Sequence, residues 1–360
     1  MNLLSVNMIF NKFKINKVSF LNRIIVSSMC QYSARDGSPT LWHYNHLSSL
    51  VNSGAGGLML ESTAINNEGK ITHGDLSISN KKQIQEIKKL IKYLKKLNNK
   101  IPIGLQISHS GRKGSANFPW VKRGRPLKNN SWKTLAPSAI RRSKGWPIPK
   151  QINDKDIKRI KISYDKSTIA ANNSGFDCLE IHMAHGYLLH EFMSPITNLR
   201  NDRYGGTLEN RCRLLVEISK IVRKRWPKIK CLGARITGSD HLKNGIKEID
   251  AIYLAKELEK IGFDYICVSS GGIIPKTKMK FKKGFRAGIS KKIKKKLKLK
   301  VSTTGMLDDL NFIKKGIKNK SFDFVFIGRP FLKNLRWIFE KVSQMKNNII
   351  IPKQYLRGFN

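Results

Sequence analysis

Acidic residues are scarce in this chain: 24 Asp and Glu stand against 69 Lys and Arg, a formal net charge of +45 over 360 residues. A field of that strength can hold polyanions loosely, so nucleic acid has to be weighed as a partner. Long apolar runs are missing. No stretch reaches the roughly 18 uncharged apolar residues that span a bilayer, and no membrane partner is expected. Cysteine is sparse and badly placed for a staple. The five thiols, Cys30, Cys178, Cys212, Cys231 and Cys267, are odd in number and far apart, which fits neither a disulfide framework nor a zinc or iron–sulfur site, and points to a reducing cytoplasm. The N-terminal stretch is broken by Asn and Lys before an apolar core of about 7 residues can form, so it makes a poor secretory signal. What is present is 40% apolar and 9% aromatic residues, enough for a chain of this length to bury a sizeable core.

The cationic excess is mostly lysine and is spread over nearly every amphipathic stretch. From Gln83 to Leu97 the apolar residues Ile84, Ile87, Leu90, Ile91, Leu94 and Leu97 keep helical spacing while lysines fill the other face. The densest run, KKIKKKLKLK at Lys291–Lys300, likewise carries apolar residues ahead of a strand-like Val301-Ser302-Thr303. These lysines read as solvated helix faces rather than a nucleic-acid groove.

Eight short β-rich runs recur: Ile24–Ser27, Gly57–Glu61, Ile103–Ile107, Cys178–His182, Leu232–Ile236, Tyr265–Ser269, Lys300–Thr303 and Phe324–Gly328. Amphipathic helical stretches separate most of them, and no antiparallel hairpin signal stands out. The pattern predicts an α/β fold, a single-domain (β/α)8 TIM barrel over residues 1–340, with 341–360 as a tail. A long loop insertion after strand 3, Ser110 to Lys150, is rich in Trp and Pro and is expected over the active face. Ile274–Gly288 forms a second, basic loop.

A barrel places reactive residues at the C-terminal ends of its strands. Gly305, Gly328 and Arg329 follow runs seven and eight, where glycines either make tight turns or expose backbone N–H groups to a phosphate. His182, His185 and Tyr187 cluster after run four. They can grip a carbonyl oxygen or simply satisfy one another inside the mouth; a metal needs a third ligand, and no Asp, Glu or Cys stands at ligand spacing, so no metal is expected. Cys30 follows run one, beside Met29 and two residues before Tyr32. A thiol there can be a nucleophile, tune a cofactor or be inert, and the residues alone do not choose.

The segments SSMCQYSARDG, ISHSGRKGSAN, IHMAHGYLLHEFMSPITNLRNDRYGGTLENR, FIGRPFL and QYLRGF together resemble the old yellow enzyme family of FMN-dependent ene-reductases, in the bacterial subclass that carries a cysteine near the flavin. The resemblance runs from about Met8 to the last residue. It implies FMN as cofactor, NADPH or NADH as electron donor, and an activated alkene as small-molecule substrate. By the same resemblance Gln106 pairs with the pyrimidine edge of the flavin ring, Arg235 stabilises the reduced ring, and Ser27, Met29 and Ala64 line it. Cys30 tunes its potential, and Gly305, Gly328 and Arg329 hold the phosphate. His182 and His185 polarise the substrate carbonyl, Tyr187 donates a proton, and Tyr32 borders the substrate. Ser28 departs from the proline often found at its position. Larger relatives add an iron–sulfur cluster, for which the clustered cysteines are absent, so a stand-alone reductase is expected. The tail motif implies a homodimer, or a dimer of dimers, in which Arg357 reaches the partner's substrate pocket. A basic RNA-binding protein on an inactive barrel is the second reading.

Overall fold

The computed structural model describes residues 7–275, 279, 281–343 and 351–358. Twelve strands occur among them: β1 (Phe13–Ile15), β2 (Val18–Phe20), β3 (Ile24–Val26), β4 (Gly57–Ala64), β5 (Ile103–Ser108), β6 (Leu135–Ala136), β7 (Lys150–Gln151), β8 (Cys178–Met183), β9 (Cys231–Thr237), β10 (Tyr265–Ser269), β11 (Lys300–Thr303) and β12 (Phe324–Ile327). Eight of them, β3, β4, β5, β8, β9, β10, β11 and β12, close in that order into a parallel barrel, with β12 paired back onto β3. They coincide with the eight apolar runs. No helix among the described residues is long and apolar enough to cross a membrane.

The alternation of the strands explains both cores. In β8, Leu179, Ile181 and Met183 face the surrounding helices as part of the larger apolar cluster, while Cys178 belongs to a second cluster inside the barrel. Glu180 and His182 share the inward face with Cys178 by the two-residue period of a strand. The same rule turns Arg235 of β9 and Gln106 of β5 inward. Cys178, Cys212, Cys231 and Cys267 are all free and buried, as small core residues should be.

The expectation of no antiparallel hairpin is corrected at the N-terminus. Strands β1 and β2 pair antiparallel, Phe13 against Phe20, around a two-residue turn in which Asn16 takes φ 55. Asparagine tolerates that left-handed conformation, and three-residue strands around it left only a faint alternation to read. The hairpin carries Phe13 onto Phe324 with ring centroids 5.5 Å apart, closing the barrel at the N-terminal ends of its strands, opposite the mouth.

The helix Lys81–Leu97 shows how the charge is accommodated. Asn80 caps it by accepting from the Gln83 N–H, and Ile87, Leu90, Ile91 and Leu94 are buried, each contributing about 1.5–3 kcal/mol by leaving water. Its lysines occupy the solvated face. Between β5 and the helix Asp154–Asn173, the long insertion carries two 3-10 turns and the β6–β7 pair. Its Trp120 stacks on Phe118 and meets the edge of Tyr32 at 5.8 Å, so the insertion lies against the mouth.

Candidate active site

The mouth is assembled from strand ends brought side by side by register. His182 pairs directly with Arg235 across β8 and β9, and Gln106 with Glu180 across β5 and β8. Beyond β8 the chain turns sharply, with His185 at φ 60 and Gly186 at φ 72. A Cβ on Gly186 would lie 2.2 Å from the Gly272 carbonyl oxygen, so only glycine fits the turn that swings His185 back towards His182.

Hydrogen bonds fix both imidazoles. The Ala184 N–H donates to His182 Nδ1 (3.1 Å), which leaves the proton on Nε2, and Nε2 lies 3.1 Å from His185 Nδ1. His185 Nε2 is 2.6 Å from Ser269 Oγ. Burial first, and the nearby Arg235 guanidinium second, hold both histidines well below the usual imidazole range. The pair is therefore neutral, its ring N–H groups acting as donors rather than as cations, that of His182 directed at His185 Nδ1 and that of His185 at Ser269 Oγ. The turn is tied down from outside: Gly186 N–H donates to His190 Nδ1 (2.7 Å), and His190 Nε2 is 2.8 Å from Asp240 Oδ1.

Tyr187 stands edge-on to His182, ring centroids 4.7 Å apart. Burial, together with Cys30 and Tyr32 close by, pushes its phenol well above the ordinary range, and the Cys30 thiol and Tyr32 phenol are pushed up for the same first reason. A thiol so held stays protonated, which disfavours a nucleophile and suits a hydrogen-bonding role. Above the Tyr187 ring sits Lys113 Nζ, 4.9 Å from the centroid, donating to the His185 carbonyl at 2.7 Å. Burial, with Arg142 adding repulsion, lowers Lys113 to about 7.

The other half of the mouth is a pocket of ≈ 790 Å³ lined by Ser27, Ser28, Met29, Gly305, Gly328 and three guanidinium groups, those of Arg235, Arg286 and Arg329. Arg235 donates to Ser27 Oγ (3.1 Å), while its buried Nε has no partner among the described residues. Among the described residues Arg286 is held by neutral oxygens, Ser270 Oγ at 2.8 Å, Thr304 Oγ1 at 3.1 Å and the Ser270 carbonyl at 3.2 Å. Burial and then repulsion from Arg235 bring it down to about 9. Gly305 takes φ 107, and a Cβ there would press on Phe285 and Arg286. These features fit FMN: a cradle where backbone and cations approach a phosphate, and an orphaned guanidinium N–H facing inward.

The structure thus brings together Ser27, Met29, Arg235, Gly305, Gly328 and Arg329 around one pocket, and His182, His185, Tyr187, Cys30 and Tyr32 beside it. Ala64 ends β4, buried, hydrogen-bonded to Leu76. Arg357 does not join them within its own chain. It is exposed on the 3-10 turn Lys353–Gly358, whose Tyr355 lies under Arg336, 4.1 Å from ring centroid to guanidinium carbon. Sequence reasoning missed Arg286 and Lys113. Arg286 is hidden among the lysines of a basic loop, of which residues 276–278 and 280 lie outside those described. Lys113 lay within the motif already singled out, and only its burial marks it.

The sequence pattern of the NADH:flavin oxidoreductase / NADH oxidase family matches residues 8–348. An NADPH dehydrogenase of Clostridium acetobutylicum is 32% identical over 357 residues, 98% of this chain and 99% of that protein. One of Bacillus subtilis is 32% identical over 353 residues, again 98% and 99%. An NADH:flavin oxidoreductase of Gibberella zeae is 37% identical over 291 residues, 77% of this chain and 70% of the relative. Among solved structures, morphinone reductase in complex with tetrahydroNAD superposes with a TM-score of 0.79 at 21% identity, covering 96% of this chain and 93% of that one.

Proposed function

The chain belongs to the NADH:flavin oxidoreductase / NADH oxidase family, the old yellow enzymes, and from that premise we propose that this NAD(P)H-dependent flavin oxidoreductase is an ene-reductase acting on alkenes activated by a carbonyl or nitro group. The observation that carries the reading is the neutral His182–His185 pair, set edge-on to a protonated Tyr187 beside a guanidinium-lined pocket.

Bound FMN would supply the hydride chemistry that links the nicotinamide to the alkene β-carbon. The protein holds and polarises. Arg329, with the backbone at Gly305 and Gly328, would grip the phosphate; Gln106 and Arg235 would hold the ring, with Ser27, Met29 and Ala64 along it and the Cys30 thiol as a hydrogen-bonding tuner. Because His182 and His185 stay neutral, their N–H groups, turned from His185 Nδ1 and Ser269 Oγ onto the substrate oxygen, would draw electron density from the β-carbon without giving up a proton. Tyr187 keeps its proton until the α-carbon becomes basic and then donates it there. Tyr32 borders the same space. A homodimer, with Arg357 at the partner's substrate pocket, completes the proposal, and five free thiols suit a reducing cytoplasm.

The RNA-binding alternative is not supported. The lysines that prompted it lie on solvated faces such as that of Lys81–Leu97, and the family assignment accounts for the motifs. The reading is tested by titrating the yellow holoenzyme with a phenol, which mimics the substrate oxygen. His182→Ala and His185→Ala should each weaken phenol binding by about tenfold or more, one lost hydrogen bond being worth about 0.5–1.5 kcal/mol and a desolvated site adding to it. Unchanged affinity in both removes the pair from the site.

A further inference from the structure

The inward face of the barrel carries a hydrogen-bonded chain that the proposed mechanism leaves unused. Ser28 Oγ donates to Gln106 Oε1 at 3.0 Å; Gln106 Nε2 donates to Glu180 Oε1 at 2.6 Å; and the Tyr265 hydroxyl donates to Glu180 Oε2 at 3.0 Å. Gln106 and Glu180 are each 1% exposed. Tyr265 reaches Glu180 by crossing over Gly233, where any Cβ would fall 2.0 Å from its ring. Both oxygens of Glu180 are thereby used as acceptors; burial raises its pKa, and Arg235 together with these two hydrogen bonds opposes that push in favour of the carboxylate.

This arrangement fixes which way the Gln106 amide points. A carboxylate only accepts, so the NH2 end must face Glu180, and flipping the amide would set two acceptors 2.6 Å apart. Ser28 secures the other end. An alkyl or proline side chain at position 28 has no hydrogen to give, and Oε1 would lose that partner. Ser28 also lines the cofactor pocket, so the link lies directly beside the site.

We propose that Ser28 is a positioning residue for the cofactor: its hydroxyl locks and polarises the Gln106 amide, and so raises the preference of the site for reduced over oxidised flavin. The proposal rests on the reading that Gln106 faces the pyrimidine edge of the flavin. Donation into Oε1 makes the remaining Nε2–H a stronger donor, because hydrogen bonds in a chain reinforce one another. A stronger donor at a ring carbonyl favours the form of the flavin that carries more negative charge.

The test measures the dissociation constants of oxidised and reduced FMN, and the midpoint potential, for the unaltered protein, Ser28→Ala, Gln106→Ala and the double variant. Ser28→Ala should lower the ratio of reduced to oxidised affinity by about threefold to tenfold, a fall of about 15–30 mV at 29.6 mV per tenfold. In the Gln106→Ala background the same substitution should change nothing further, because its route is gone. If Ser28→Ala leaves the ratio unchanged while Gln106→Ala shifts it, the role of Ser28 is refuted and the placing of Gln106 stands. If Gln106→Ala also leaves the ratio unchanged, the placing of Gln106 fails with it. Equal shifts by Ser28→Ala in both backgrounds also overturn the proposal, since Ser28 would then act independently of Gln106.

Discussion

Replacing Tyr187 by Phe removes one oxygen and should separate the two half-reactions. The ring is held by contacts that Phe keeps: the edge of His182 at 4.7 Å, Lys113 Nζ at 4.9 Å, and backbone bonds from Tyr187 N–H to Ala184 and from Glu191 N–H to Tyr187. The site geometry should therefore survive. What is lost is the proposed proton donor. A positioned general acid contributes about 10²- to 10⁴-fold. The Tyr187 phenol is pushed well above its ordinary range by burial, so it is a weak acid and belongs at the lower end, about 10²- to 10³-fold. At 1.36 kcal/mol per tenfold, that is about 2.7–4 kcal/mol of barrier. Anaerobic stopped-flow absorbance reads flavin reduction by nicotinamide and flavin reoxidation by a cyclic enone separately. Reduction should stay within about twofold of the unaltered enzyme while reoxidation falls by the stated factor. Equal losses in both half-reactions, or no loss in the second, would refute the assignment of Tyr187 as proton donor.

Arg329→Ala should yield protein that purifies with little FMN and binds it about 10- to 100-fold more weakly by fluorescence titration, since a charge-assisted pair is worth about 1.5–3 kcal/mol; full flavin occupancy contradicts this. His109, buried and with no partner on Nε2 among the described residues, is lowered to about 3 by burial first and Arg159 second. Its native state is neutral while the unfolded chain takes up a proton below about pH 6.5, so its contribution is complete above pH 6.5 and is lost as pH falls towards 3. His109→Gln should therefore become more stable relative to the unaltered protein by up to about 1.4 kcal/mol per pH unit between pH 6 and pH 4, read from urea midpoints; a pH-independent difference defeats the reasoning. Deleting Gln354–Asn360 should weaken dimerisation or enone binding while FMN stays bound, and a truncated dimer with unchanged kinetic constants would remove Arg357 from the partner's pocket.

Much of the barrel was legible because each strand is a short apolar run ending in a polar residue that has no reason to be there unless a mouth opens beyond it: Gln106, His182 and Arg235 are such residues. The two-residue period then fixed their common inward face. The His182–Tyr187 motif carried the candidate chemistry in six consecutive positions. Less was readable where meaning depends on a distant partner. The Ser28–Gln106–Glu180–Tyr265 chain joins four strand regions, and each member alone is an ordinary polar residue. Arg286 resembles its many basic neighbours until the structure places it against Ser270 and Thr304, with no acid paired to it among the described residues. The β1–β2 hairpin was missed because three-residue strands give almost no period to detect.

The central proposal is the path of two hydrogens: one would pass as hydride from the nicotinamide by way of the flavin to the β-carbon, and the other would reach the α-carbon as a proton through Tyr187. Turnover of a cyclic enone with nicotinamide deuterated at its transferable position, and separately with ordinary nicotinamide in D₂O, followed by NMR of the saturated ketone, tests this directly. Label from the nicotinamide should appear only at the β-carbon and solvent deuterium at the α-carbon. Recovery of unreduced enone beside oxidised nicotinamide, or solvent deuterium at the β-carbon, would contradict the account.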